Sequence, residues 1–349
     1  MNLITLPVSI AELHFELVCP KLKKMDKKTG RVYYDYSVGN KLFEKKNNKS
    51  YSQEMRNVFD HLYRNIETII TGTVDDLNKQ IENFNECLKI NRLSLIEQDG
   101  EKSNLFNAIQ ECFDYDAYSK SEKPYKTLLK INYNTCPYCN RQYINTYVST
   151  GSTPGRMRAT LDHFYSKSNY PYLALSLYNL IPSCYSCNSS LKLDQKFTTA
   201  THIHPYSNSF DNIVKFSINF KKAKNTKKYI ANFYQDPNYL EIGFNFLVDI
   251  GTDDYKRASG NISAFQLEHI YNFHKDQVIE LLQKFVHLSN GYPQYVAKNY
   301  PKLFNDENDI KRMLVGNYLE NDKFHKRPFS RIINDLCEEI GFKKMLDTL

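Results

Sequence analysis

The sequence predicts an α+β fold, mainly helical, with a small cysteine-stapled module embedded between helical segments and followed by one antiparallel β pair. Three observations predict it. Apolar residues recur at helical spacing from Met55 to Phe113, and again from Ser263 to Ile340. The stretches from Val214 to Phe220 and from Leu240 to Ile250 instead alternate apolar and polar residues with a period of two, as half-buried strands do. Between the two patterns lie a pair of C-x-x-C knuckles, Cys136/Cys139 and Cys184/Cys187. That spacing is how two turns deliver four thiolates to a tetrahedral zinc. The boundaries implied are 1–130 for a helical region with a basic segment, 131–206 for the knuckle module, and 207–349 for the strand pair and closing helices.

A chain of 349 residues can bury a full core, and with 41% hydrophobic and 24% charged residues it is not a disordered polymer. The net charge of +7 favours a polyanionic partner. Cys19, Cys87, Cys112 and Cys337 lie singly in apolar-periodic segments and read as small buried hydrophobes. A disulfide framework is the competing reading, and it suits short secreted chains better than this one. The first twenty residues contain Glu12, His14 and Glu16 and no cationic leader, and no apolar run is long enough to cross a bilayer. The expectation is a soluble, cytoplasmic protein that does not act at a membrane.

Taken in order, residues 1–20 are expected to form a short strand or helix. From Lys21 to Tyr51 the chain is basic, with Thr29-Gly30 as a turn leading into an extended stretch from Arg31 to Tyr36. This segment is either a solvated loop or a phosphate-contacting arm. Met55, Val58, Phe59, Leu62, Tyr63, Ile66, Ile69 and Ile70 form one helical stripe that Gly72 ends. Thr73 and Asp76 then form a capping box for a helix that turns Leu77, Ile81, Phe84 and Leu88 inward. A shorter helix presents Leu105, Ile109, Cys112 and Phe113. Beyond the module, a Lys-rich connection (Lys221, Lys222, Lys224, Lys227, Lys228) joins the two strands. A single helix is expected from Ser263 to Leu288, and a last one opens at Pro328, buries Phe329, Ile333, Leu336 and Ile340, and stops at Gly341.

Within the module, Leu161-Asp162-His163-Phe164 reads as a strand end. Neighbouring strand residues point to opposite faces, so Asp162 and His163 share a cleft only if the strand ends or bulges there. At such an end a carboxylate can hold a hard divalent cation while the imidazole meets a water. Leu180-Ile181-Pro182-Ser183 is a second short strand, and Cys187-Asn188-Ser189-Ser190-Leu191-Lys192 starts a helix. The order is strand, loop, strand, helix, stapled by zinc.

The run LDHFYSKSNYPYLALSLYNLIPSCYSCNSSLK, with CPYC upstream, resembles an HNH endonuclease of the ββα-metal fold over about residues 131–206. In style it is similar to the HNH subunits of bacterial anti-phage defence modules, the Septu and retron-associated systems. The resemblance implies that His163 is the general base and that Asp162 and Asn188 hold one Mg²⁺ or Mn²⁺. It implies that Asn179 holds the loop or orients the histidine, and that Cys136, Cys139, Cys184 and Cys187 bind a structural Zn²⁺. Lys192 and Lys196 become candidate nucleic-acid contacts, although Lys192 stands four residues after Asn188 where the family has its lysine three after. His204 is either a further ligand or phosphate contact, or a loop residue; Arg156 and Arg158 are either a solvated face or substrate contacts. The expected activity is metal-dependent hydrolysis of nucleic acid, DNA before RNA, with a partner ATPase on another polypeptide, since no G-x-x-x-x-G-K-[ST] loop occurs here. The alternatives are an RNA-cleaving effector acting, for example, on tRNA, or a catalytically silent zinc-containing nucleic-acid-binding or adaptor subunit.

Overall fold

The computed structural model describes residues 1–20, 24–25, 32–33, 37–150, 155–220, 237–288 and 291–347. The amino-terminal region is a platform of helices: α1 (Ile10–Val18), α2 (Val38–Lys46), α3 (Gln53–Arg64), α4 (Ile66–Thr71), α5 (Val74–Ile90), α6 (Asn104–Cys112), α7 (Tyr115–Lys120) and α8 (Lys123–Ile131). Their inner faces carry the residues that the helical period marked, including Val58, Phe59, Leu62, Ile69, Ile70, Leu77, Phe84, Leu105 and Ile109. The capping box at α5 is formed, with Thr73 Oγ1 accepting from Asp76 N and the Asp76 carboxylate accepting from Thr73 N at 3.0 Å. The stripe from Met55 to Ile70 is two helices and not one. Asn65 leaves helical geometry at φ −101° and ψ 10°, and its backbone and side-chain amides both donate to the His61 carbonyl, at 3.2 and 2.8 Å, closing α3 before α4 begins.

Of the basic segment, residues 24–25, 32–33 and 37–51 are described. Strand β1 (Lys24–Met25) pairs antiparallel with β2 (Val32–Tyr33). The turn at Thr29-Gly30 and the lysines at 21, 23, 27 and 28 lie outside the described residues, as does the Lys-rich connection 221–228. Further on, α2 replaces the expected loop and engages its lysines internally: Lys45 pairs with Glu111 at 2.6 Å and Lys46 with Asp60 at 3.0 Å.

Short strands β3 (Tyr147–Val148) and β4 (Arg156–Met157) form one hairpin, and β5 (Thr160–His163) pairs with β6 (Leu180–Ser183) in another. The alternating segments become β7 (Val214–Phe220) and β8 (Leu240–Phe246), antiparallel, with Val214 opposite Phe246. Both edges of this pair are covered by side chains. Asp335 and Glu339 accept the Phe216 and Ile218 amides at 3.1 and 3.0 Å, while Asn272 accepts the Ile242 amide and donates to its carbonyl. Unpaired strand groups are otherwise a template for association.

The carboxyl-terminal helices are α9 (Asp253–Ala264), α10 (Leu267–Tyr271), α11 (Lys275–Leu288), α12 (Tyr292–Asn299), α13 (Glu307–Val315), α14 (Ser330–Glu339) and α15 (Phe342–Leu346). The single helix expected from Ser263 is interrupted because Gln266 adopts a left-handed backbone, φ 48°. Likewise α14 opens at Ser330, two residues after Pro328, with Phe329 at φ 65°; Ile332 is the buried isoleucine and Ile333 is only half-buried. Gly341, at φ 76°, ends that helix as expected. One contiguous apolar core runs through all three regions, from Met1 to Leu346. No helix among the described residues is long and apolar enough to cross a membrane.

Candidate metal centre and active site

The four knuckle cysteines converge. Their Sγ atoms all lie within 4.8 Å of one another and all four residues are buried. Cys139 and Cys184 stand 3.9 Å apart, close to the roughly 3.8 Å edge of a tetrahedron built on Zn–S bonds of about 2.3 Å. Each knuckle is a tight turn: Asn140 N donates to Cys136 O at 2.7 Å, and Asn188 N to Cys184 O at 3.1 Å. Amides point at sulfur as well, Arg141 N to Cys139 and Cys187 N to Cys184, both at 3.4 Å. Burial pushes the Cys136 thiol well up, so a set of buried thiolates needs a dication to neutralise it. The donor set fits zinc. Cys19, Cys112 and Cys337 are buried thiols away from this cluster, and Cys87 is only half-buried.

The staple holds the β5–β6 hairpin against the helical turn Ser186–Lys192. This turn is wound wide: Leu193 N donates to Asn188 O, five residues back, at 3.2 Å. The strands pair in regular register, Asp162 opposite Ile181 and His163 opposite Leu180. With no bulge, Asp162 and His163 project to opposite faces.

On one face, His163 Nε2 bonds the Ala174 carbonyl at 2.9 Å. A carbonyl only accepts, so Nε2 carries the proton and the lone pair belongs to Nδ1. Nδ1 has no hydrogen-bond partner among the described residues and is not sealed from solvent. Tyr115 packs edge-on against the ring, centroids 4.4 Å apart. Burial lowers the imidazole to about 4, opposed by the Ala174 carbonyl and the Asp162 charge. It is neutral at pH 7, and lower than the near-neutral value a general base was expected to have. Beside it, Tyr115 and Ala174 line a small cavity with Lys102, Gln110, Lys167 and Ser168.

The loop joining the strands is buckled by Asn179, which is fully buried. Its Oδ1 accepts from Tyr165 N at 2.7 Å, and its Nδ2 donates to the carbonyls of Tyr165 and Leu173 at 3.0 and 2.9 Å. Asn179 therefore fixes the segment whose next carbonyl, Ala174, holds His163. It does not touch the histidine itself. The following carbonyl, Leu175, receives a second buried imidazole, His14 Nε2, at 2.8 Å.

On the opposite face, Asp162 is closed in. The Tyr138 hydroxyl donates to Oδ2 at 2.6 Å and Lys192 Nζ to Oδ1 at 2.9 Å. The side chains of Asp162 and Lys192 are each 2% exposed. This corrects two expectations. Lys192 is an internal cation and not a nucleic-acid contact, because it is buried and its ammonium is bonded to Asp162. Nor does Asp162 present an open ligand to Mg²⁺ or Mn²⁺, since both oxygens are already engaged; the pair Asp162 and Asn188 does not fit a divalent ion in this arrangement. Asn188 itself is half-buried, its side chain without a hydrogen bond among the described residues. His204 takes the loop alternative and not that of a ligand or phosphate contact. It is 1% exposed, its ring lies 4.1 Å from Phe164, its Nδ1 accepts from Tyr206 N, and burial lowers it to about 3. Lys196 is exposed, as a surface contact requires.

Tyr138, Tyr115 and Lys167 were missed by the motif. Tyr138 could have been found, since it stands inside the first knuckle; Tyr115 lies 48 residues from His163 with no local signal. Protein-family profiles, curated proteins and solved structures were each compared with the chain, and none matches.

Proposed function

We propose that the chain is an endonuclease of the HNH kind, hydrolysing phosphodiester bonds of nucleic acid, DNA in preference to RNA. In this reading it is the nuclease effector of a bacterial anti-phage defence system and works beside a separate ATPase. The observation that carries the reading is His163: a neutral imidazole with Nε2 anchored on a backbone carbonyl and Nδ1 free, on a zinc-stapled hairpin next to a pocket lined by Lys102, Lys167, Asp114 and Asp116. Nδ1 takes the proton of the attacking water. The Ala174 carbonyl then stabilises the imidazolium that forms. A base near 4 is weak, but a phosphate bound beside it brings negative charge and raises its proton affinity. Lys102, and Lys167 on release from its 3.3 Å pair with Asp116, offer cations to that phosphate against the acidic Asp114 and Asp116 of the same cavity, and Lys196 extends the basic surface. Asp162 and Asn188 do not fit Mg²⁺ or Mn²⁺ in this arrangement, so no step is routed through a catalytic ion.

One observation favours a second reading. A buried Asp162–Lys192 pair is also what a zinc-containing nucleic-acid-binding or adaptor subunit without catalysis would retain for its fold. The experiment that separates the readings incubates purified protein with plasmid DNA and with bulk tRNA, with and without added Mg²⁺ or Mn²⁺, beside zinc-loaded His163→Ala. Cleavage abolished in the variant is the expected result, and the substrate consumed assigns DNA or RNA. Equal activity in the variant overturns the base role, and binding without cleavage under every condition favours the adaptor.

A further inference from the structure

We infer that Lys192 is the resident counter-ion of Asp162, standing where the hairpin and helical turn would otherwise take a divalent cation. This rests on the proposed function only for the kind of ion displaced. The ammonium is fully engaged. It donates to Asp162 Oδ1 at 2.9 Å and to the His163 carbonyl at 2.6 Å, and lies 4.9 Å from the centroid of Phe197. One carboxylate oxygen and one backbone carbonyl are the hard oxygen donors a small dication seeks. Here they serve a monovalent side chain.

Three further features keep it there. Asn188 and Lys192 are four residues apart on one helical turn, so the ammonium issues from the same face as the would-be second ligand. The remaining Asp162 oxygen is capped by the Tyr138 hydroxyl at 2.6 Å. Tyr138 is in turn stacked on Phe265, ring centroids 4.3 Å apart, and Phe265 meets Phe197 edge-on, so aromatic rings wall the pair from water. A hydrated Mg²⁺ surrenders water reluctantly and would first have to displace an ammonium that is already bonded to the carboxylate. A dication arriving beside the ammonium would also meet repulsion at close range. The chain therefore supplies the positive charge of this site itself, and Asp162 takes no divalent ion in the free protein.

The test titrates the full, zinc-loaded chain with Mn²⁺ at pH 7.5 and measures free Mn²⁺ by electron paramagnetic resonance. Wild type and Asp162→Asn are expected to give the same isotherm. Lys192→Met is expected to gain one Mn²⁺ site, at least about tenfold tighter than anything in wild type, and the Lys192→Met/Asp162→Asn double variant to lose it. Mn²⁺ binding in wild type that Asp162→Asn weakens tenfold overturns the inference, as does a folded Lys192→Met protein that gains no site. Should Lys192→Met lose its zinc or its helical circular dichroism, the comparison of wild type with Asp162→Asn decides alone. No cleavage is measured, so a failed nuclease assay leaves this result standing. Equally, absence of an Asp162-dependent ion leaves a metal-free nuclease standing.

Discussion

The two faces of β5 differ in kind although they start from adjacent residues. On one, Asp162 is paired, capped and sealed by Lys192 and Tyr138. On the other, His163 is neutral, fixed by one nitrogen and left with a lone pair beside a pocket. The difference teaches that a polar dipeptide in a regular strand is two environments and not one site, because the pleat sends its members apart. Burial then treats them oppositely. The charged member must find a partner inside, while the imidazole escapes the cost by staying neutral.

Breaking the Asp162 face should have the larger effect. Lys192→Met leaves a buried carboxylate without its counter-charge and is expected to destabilise the protein by about 3–5 kcal/mol in denaturant unfolding. The double variant Asp162→Asn/Lys192→Met should recover most of that loss. A single-variant loss below about 1 kcal/mol would mean that the pair is not buried in solution.

The His163 face should announce itself through pH. Two imidazoles bond consecutive carbonyls of the same loop, His163 at Ala174 and His14 at Leu175, and burial lowers each to about 4. The unfolded chain binds those protons near pH 6.5, before the folded one does. Their contribution is therefore complete above pH 6.5 and falls away as the pH drops to about 4, by about 3 kcal/mol for each histidine at the limit. Unfolding midpoints measured from pH 7.5 to 4 should decline through that window, and His14→Gln should flatten the decline. A flat wild-type profile would place both rings in solvent.

The smallest effect on stability belongs to Lys196, which lies on neither face and is exposed. Lys196→Ala should change stability by less than about 0.5 kcal/mol. If the basic surface holds nucleic acid, the same change reduces the salt dependence of binding by about one counter-ion. An unaltered salt slope in titrations with labelled DNA would remove Lys196 from the contact surface.

Much of this arrangement was legible in the sequence because it is local. Each knuckle brings its two sulfurs together in a turn of a few residues, so spacing located the four-cysteine cluster of Cys136, Cys139, Cys184 and Cys187. The Thr73 cap, the helical stripes and the β7–β8 alternation are likewise set by neighbours in the chain. What escaped is set at long range. Nothing near Lys192 signals that it turns inward, because its partner is 30 residues away. His204 looks like a free loop histidine until Phe164 and Tyr206 close over it. The breaks at Asn65 and Gln266 escaped for a different reason: each keeps the apolar period of a continuous helix while one residue leaves helical geometry.

Asn140, the residue after the second cysteine, ties the metal centre to parts of the protein far from it. Its carbonyl accepts from Phe329 N at 2.7 Å and its Oδ1 from Arg331 N at 3.0 Å, which sets the start of α14. That helix presents Asp335 and Glu339 to the edge amides of β7. The four-cysteine cluster is thus joined, through Asn140 and α14, to the edge of β7. Exchange of the Phe216 and Ile218 amides is therefore expected to slow when the four thiolates are filled.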